Sequence, residues 1–170
     1  MNSKIKKVLI TGLLASGLAG CQATTVKEEK KVYDIPLSAE LQAYTLEQCE
    51  ASDFVEPEIA FAVMDVESSY QKDAISYTSD YGLMQLNPVC LGFLNTNTGI
   101  TDLMDPYQNI RGGIFLLDYY IAKYHSINKA LMAYHLGETG ALWEWIAGNY
   151  TCEYSDKVMD RAKELVQVEK

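Results

Sequence analysis

The sequence predicts an all-α fold confined to one domain, from about residue 37 to residue 168. Three observations point there. Apolar residues recur at helical spacing after residue 37, helix start signals precede those stretches, and no convincing pair of alternating strands appears. At 170 residues with 48% apolar content the chain is long enough for one core of ordinary size. Its four prolines are scattered and nothing repeats at a fixed period, which excludes solenoid and low-complexity architectures.

The chain opens with Lys4, Lys6 and Lys7, an apolar run from Val8 to Leu18, and then Leu18-Ala19-Gly20-Cys21. The run is too short to span a bilayer. The tetrad resembles the lipobox of bacterial lipoprotein signal peptides, which implies a leader over residues 1–20 and lipid attachment at Cys21, hence a membrane anchor. With Gln22 rather than aspartate after the cysteine, the resemblance implies a cell-envelope protein on the outer membrane facing the periplasm of a Gram-negative host. Residues 21–36 read as a polar tether containing Lys27-Glu28-Glu29-Lys30-Lys31. The thirteen residues from Gln22 to Asp34, extended, reach on the order of 40 Å.

The helices follow in order. Ser38 caps one that carries Leu41 and Tyr44 on one face and ends near Ser52. Pro57 occupies the first turn of the next, which runs to about Ser69. Asp105-Pro106-Tyr107-Gln108 combines an acidic cap, a first-turn proline and a glutamine placed to reach back. The helix behind it repeats Ile110, Ile114, Leu117 and Ile121 as one buried stripe. Further helices are expected over 127–136, 140–147 and 154–166.

Charge and cysteine content narrow the partners. Without the three leader lysines, the 14 basic and 23 acidic residues leave a formal charge of −12, which argues against nucleic acid. Besides Cys21 there are Cys49, Cys90 and Cys152, so at most one intrachain disulfide forms, and Cys49 with Cys152 is the pair expected to join the terminal helices. These cysteines and the two histidines, His125 and His135, lack the short spacing of a metal site. No metal or cofactor is expected.

On the helix from Pro57, the carboxylate of Glu67 shares a face with Ile59 and Val63, whereas Asp65 is turned about 200° away toward solvent. Burial and the negative end of the helix both raise the pKa of Glu67 and suit it to general-acid chemistry. Alternatively, such a glutamate pairs with a neighbouring helix.

Glu67-Ser68-Ser69, with Ser76 nine residues after the glutamate and Gly82-Leu83-Met84-Gln85 beginning fifteen after it, resembles the lytic transglycosylase family. The resemblance continues in Asp105-Pro106 with Asn109-Ile110 and Gly113, in Ala133-Tyr134-His135-Leu136-Gly137, and in Tyr154 with Lys157-Val158, covering about residues 55 to 160. It implies a lysozyme-like fold and a substrate of peptidoglycan glycan strands. The β-1,4 bond between N-acetylmuramic acid and N-acetylglucosamine is cut with formation of a 1,6-anhydro product, Glu67 acting first as acid and then as base. It further implies that Ser76 contacts the acetamido or carboxyl region of the substrate, that Gln85 orients sugar hydroxyls and that Tyr134 holds the carboxyl of Glu67. Each of the three also admits a purely structural role. Met84 and Leu86 read as core, and so do Trp143 and Trp145, of which at most one can face a groove.

Asp80, Asn87, His135 and Leu136 depart from the family pattern. Asp80 reads as a loop residue, the other choice being a second carboxylate near the cleft. Two other functions fit the same residues: a hydrolytic lysozyme, which needs a second acid such as Asp80, and a glycan-binding lipoprotein without catalysis. A role as a wall-opening accessory of envelope machinery for secretion or conjugation is a matter of partners.

Overall fold

The computed structural model describes residues 32–167. The leader, Cys21 and all of the tether before residue 32 lie outside the described residues. Six α-helices make up the domain: α1 (Ala39–Ala51), α2 (Pro57–Ser68), α3 (Leu91–Thr98), α4 (Pro106–Tyr124), α5 (Ile127–Ile146) and α6 (Glu153–Gln167). A single 3-10 turn, Pro88–Cys90, leads into α3. Among the described residues the only strand-like pairings are two isolated bridges, Ile75 with Tyr81 and Tyr81 with Leu86. No described helix is long and apolar enough to cross a membrane.

The helix starts obey local chemistry. The Ser38 side chain accepts from the Leu41 amide, and Asp105 from the Gln108 amide at 2.8 Å. Gln108 reaches back further than a capping box would take it, accepting from the amides of Thr101 at 2.8 Å and Asp102 at 3.2 Å. It thereby fastens the loop before α4 rather than the cap itself.

The second helix is not a one-sided amphipathic helix. Ile59, Ala60, Phe61, Ala62, Val63 and Met64 are all buried, so α2 runs through the centre of the domain with α1 and α6 packed on it. Asp65, expected in solvent, instead pairs with Arg161 of α6 at 2.6 Å. On α4, Ile110, Ile114 and Leu117 are buried and Ile121 packs against the same core. The expected stretches 127–136 and 140–147 are two arms of α5, bent at Gly137, whose φ of 68° and ψ of 161° leave the helical region.

Three further differences stand out. Tyr33, assigned to the tether, is 6% exposed, packs at a tilt against Phe61 with ring centroids 4.6 Å apart and donates a hydrogen bond to Glu58 at 2.7 Å. The folded domain therefore begins before residue 37. No disulfide joins Cys49, Cys90 and Cys152 to one another, so the expected Cys49–Cys152 bridge is not formed. Cys49 lies in the last turn of α1, which packs on α2 and α4, whereas Cys152 precedes α6, which packs on α2 and α5. Trp143 is 68% exposed rather than core, while Trp145 packs edge-on against Tyr124 and donates to the Met132 sulfur.

Candidate active site

Glu67 stands one residue before the end of α2. Directly after it the chain turns back through two left-handed residues, Ser69 (φ 50°) and Tyr70 (φ 62°). Neither residue type favours that conformation, so the surrounding packing must hold it. Ser68 supplies part of the hold: its buried hydroxyl donates to the Leu83 carbonyl at 2.8 Å and so ties the end of α2 to the loop carrying Gly82 to Gln85.

That loop is fastened at several more points. Asn109, fully buried, accepts from the Met84 amide at 2.8 Å and donates to the carbonyls of Tyr81 at 2.7 Å and Leu103 at 2.8 Å. Gly82 takes a φ of 75°, and a Cβ there would lie 2.6 Å from the Asn109 amide. A Cβ on Gly113 would lie 2.3 Å from the Met84 sulfur. The spaced glycines and asparagine are thus explained by close approach of α4 to the loop. Met84 and Leu86 are core, as expected.

A cleft of about 590 Å³ opens over this loop. It brings together Glu67, Ser76, Gln85 and Tyr134, with Asp80 and His135 also on its walls. Burial pushes the Glu67 carboxyl up to about 7, with Asp80 adding to the rise and Tyr154 opposing it. Near neutral pH a large fraction of Glu67 therefore carries a proton.

Two tyrosines, Tyr134 and Tyr154, approach Glu67. Tyr134 gives its single proton to the Met84 carbonyl at 2.7 Å and meets Glu67 only through charge. Tyr154 of α6 has a buried hydroxyl without a full hydrogen bond, close enough to Glu67 to favour its ionised form. Such a contact can tighten when substrate enters. Gln85, at φ 47°, donates its amide to the carbonyls of Gly82 at 2.8 Å and Ala74 at 3.3 Å, which braces the loop. Ser76 donates to Asp80 at 2.8 Å.

Asp80 is both a loop residue and a wall of the cleft. Burial opposes its ionisation, yet hydrogen bonds from Thr78, Asn87 and Ser76, with His135 nearby, outweigh this and hold the carboxyl below its usual range. The His135 ring lies flat on Tyr154, centroids 4.2 Å apart and planes within 5°. Burial lowers the His135 pKa, against the pull of Asp80. Two features escaped the sequence reading. The left-handed turn at Ser69 and Tyr70 has no compositional signal, and Tyr77, fully exposed at the lip of the cleft, lies in a segment without periodicity. Among the described residues no group of histidine, cysteine and acidic side chains is arranged to hold a metal ion.

The transglycosylase SLT domain family matches residues 45–158, and the chain belongs to that family. A transglycosylase of Enterobacteria phage PRD1 is 38% identical over 105 residues, which make up 62% of this chain and 37% of the phage protein. The chain thus spans little more than a third of that relative. In overall shape it is similar to an inactive mutant of lytic transglycosylase Slt from Pseudomonas aeruginosa, with a TM-score of 0.65 at 22% identity over 79% of this chain and 25% of that one. The 70 kDa soluble lytic transglycosylase of Escherichia coli gives 0.66 at 18% identity, with the same coverage of each chain. A 70 kDa soluble lytic transglycosylase bound to bulgecin A gives 0.62 at 20% identity, over 75% of this chain and 24% of that one. The fold is the lysozyme-like one of these enzymes.

Proposed function

We propose that this domain is a peptidoglycan lytic transglycosylase that cuts the bond between N-acetylmuramic acid and N-acetylglucosamine through Glu67. The observation that carries the proposal is a carboxyl in the lining of a cleft, raised by burial to about 7, in a chain of the SLT family. Glu67 donates its proton to the glycosidic oxygen as the bond to carbon 1 breaks. The resulting carboxylate then removes the proton of the carbon-6 hydroxyl, whose oxygen bonds to carbon 1 and closes the 1,6-anhydro ring. Glu67 ends protonated, and no water is consumed. Ser76 and Gln85 contact the sugars from the cleft wall, and Tyr134 shapes the wall through Met84.

Glu67→Gln tests the proposal. General acid–base catalysis contributes about a hundred- to ten-thousandfold, so clearing of a peptidoglycan suspension should fall by at least that factor while the fold persists. A variant that clears at the wild-type rate overturns the assignment. Because the acid must enter protonated, kcat/KM of the wild type should decline as pH rises through about 7. A second mechanism, hydrolysis by a water that a second acid positions, is favoured by the presence of Asp80 in the cleft. Hydrolysis yields a reducing end in place of the anhydro ring.

We also propose that the protein is exported and lipid-anchored at Cys21, on the outer membrane facing the periplasm, where a tether raises the local concentration of enzyme at the wall. The lipobox-like tetrad supports this. Metabolic labelling with a clickable fatty acid should mark the wild type and not Cys21→Ala; equal labelling of both overturns it. Action beside envelope machinery is compatible with such an anchor.

A further inference from the structure

Two of the positions at which this chain departs from its family touch one another. Asn87 donates to Asp80 Oδ1 at 2.6 Å, while Ser76 donates to Oδ2 at 2.8 Å and Thr78 bonds the same oxygen. The Asp80 backbone amide returns a bond to the Ser76 hydroxyl at 3.0 Å. A turn aspartate ordinarily satisfies its own backbone two residues on. Asp80 instead gathers side-chain donors from both sides of the loop, and both of its oxygens are engaged. That arrangement makes a fixed charge rather than a proton acceptor.

The charge lies in the lining of the cleft. Asp80 lines the same cleft as Glu67 and interacts with it and with His135. Around Glu67 stand Tyr134 and His135 from α5, Tyr154 from α6 and Asp80 from the loop. Of these, Asp80 is the anion near neutral pH. Breaking a glycosidic bond leaves positive charge on the sugar ring, and an oriented anion in a partly dry cleft stabilises it without reorganising.

We infer that Asp80 is a second carboxylate of the cleaving machinery, a fixed negative charge that stabilises the cation developing on the muramic acid ring while Glu67 handles the protons. This rests on the function proposed above. Two neighbouring carboxyls whose surroundings drive their protonation apart divide into a proton donor and a charge.

The test is Asp80→Asn in the full chain, compared with wild type on purified peptidoglycan. The variant should lose about a hundredfold in kcat with little change in KM. Removing the anion also eases ionisation of Glu67, so the alkaline limb of the pH profile should move to lower pH. Asn87→Met keeps the charge and removes one of its donors, so it should retain kcat to within about tenfold. A kcat for Asp80→Asn within about threefold of wild type, a loss confined to KM, or an unmoved alkaline limb overturns the inference. Absence of turnover by the wild type overturns both the function and the inference. Wild-type turnover that Glu67→Gln abolishes and Asp80→Asn spares overturns the inference alone.

Discussion

A carboxyl kept protonated inside a fold is a debt that unfolding releases. The Glu67 side chain has an ordinary pKa of 4.5 when unfolded and about 7 when folded. Below pH 4.5 both states hold the proton and the shift has no effect. Between 4.5 and 7 the unfolded chain loses its proton first, so the folded state is progressively disfavoured, reaching a constant penalty above 7. Glu67→Gln should therefore raise the melting temperature at pH 8, by an amount equivalent to about 1–3 kcal/mol, and leave it unchanged at pH 4. Calorimetry at the two pH values checks this, and an equal shift at both would contradict the burial of the charge. Glu67 was legible in the sequence because an acid at helical spacing from Ile59 and Val63 is conspicuous. The side of the helix was not, because α2 is buried all round and the four-residue spacing marks no single face. Asp65 misled for the same reason: its solvent is replaced by Arg161, 96 residues later in the chain. The approach of Tyr154 has no signal in the sequence, because two tyrosines on different helices converge on one carboxyl only after α5 and α6 pack.

Among the elements, the loop from Gly82 to Gln85 and helix α4 act as one unit. Asn109→Ala would leave the Met84 amide and the Leu103 carbonyl without partners in the interior, while the Tyr81 carbonyl keeps the Leu86 amide, costing about 3 kcal/mol. Gly113→Ala would force Met84 aside, costing about 1–3 kcal/mol, and should lower activity because the loop moves with it. Denaturant melts of both variants test this; wild-type midpoints would show that the loop is held from elsewhere. Most elements were readable from caps and periodicity, with α1, α2 and α4 starting at Ser38, Pro57 and Asp105 as their chemistry requires. Helix α3 was missed. Its segment Leu91–Thr98 ends in polar residues and buries only Leu94, so there is no stripe to see. In α5, Gly137 broke the pattern in the sequence and bends the helix in the fold, so the two expected segments form a single bent helix.

At the scale of the molecule, the domain is larger at its N-terminal edge than its polarity suggests. Tyr33 belongs to the same core as Phe61 and Leu37, and Tyr33→Ala should cost about 3 kcal/mol of stability, as for other buried aromatic residues. A melting temperature unaffected by this change would return Tyr33 to the tether. The boundary was hidden because one aromatic residue within a charged stretch has no periodicity to announce it. The family and its lysozyme-like fold were legible because four sequence blocks keep their order and spacing, whereas the direction of each side chain depends on helix packing. The proposed function turns on one reaction without water. Mass spectrometry of muropeptides released from purified peptidoglycan measures it most directly. A lytic transglycosylase acting through Glu67 should release 1,6-anhydro-muropeptides as the wild type and none as Glu67→Gln. Products heavier by one water, about 18 Da, would show hydrolysis and contradict it.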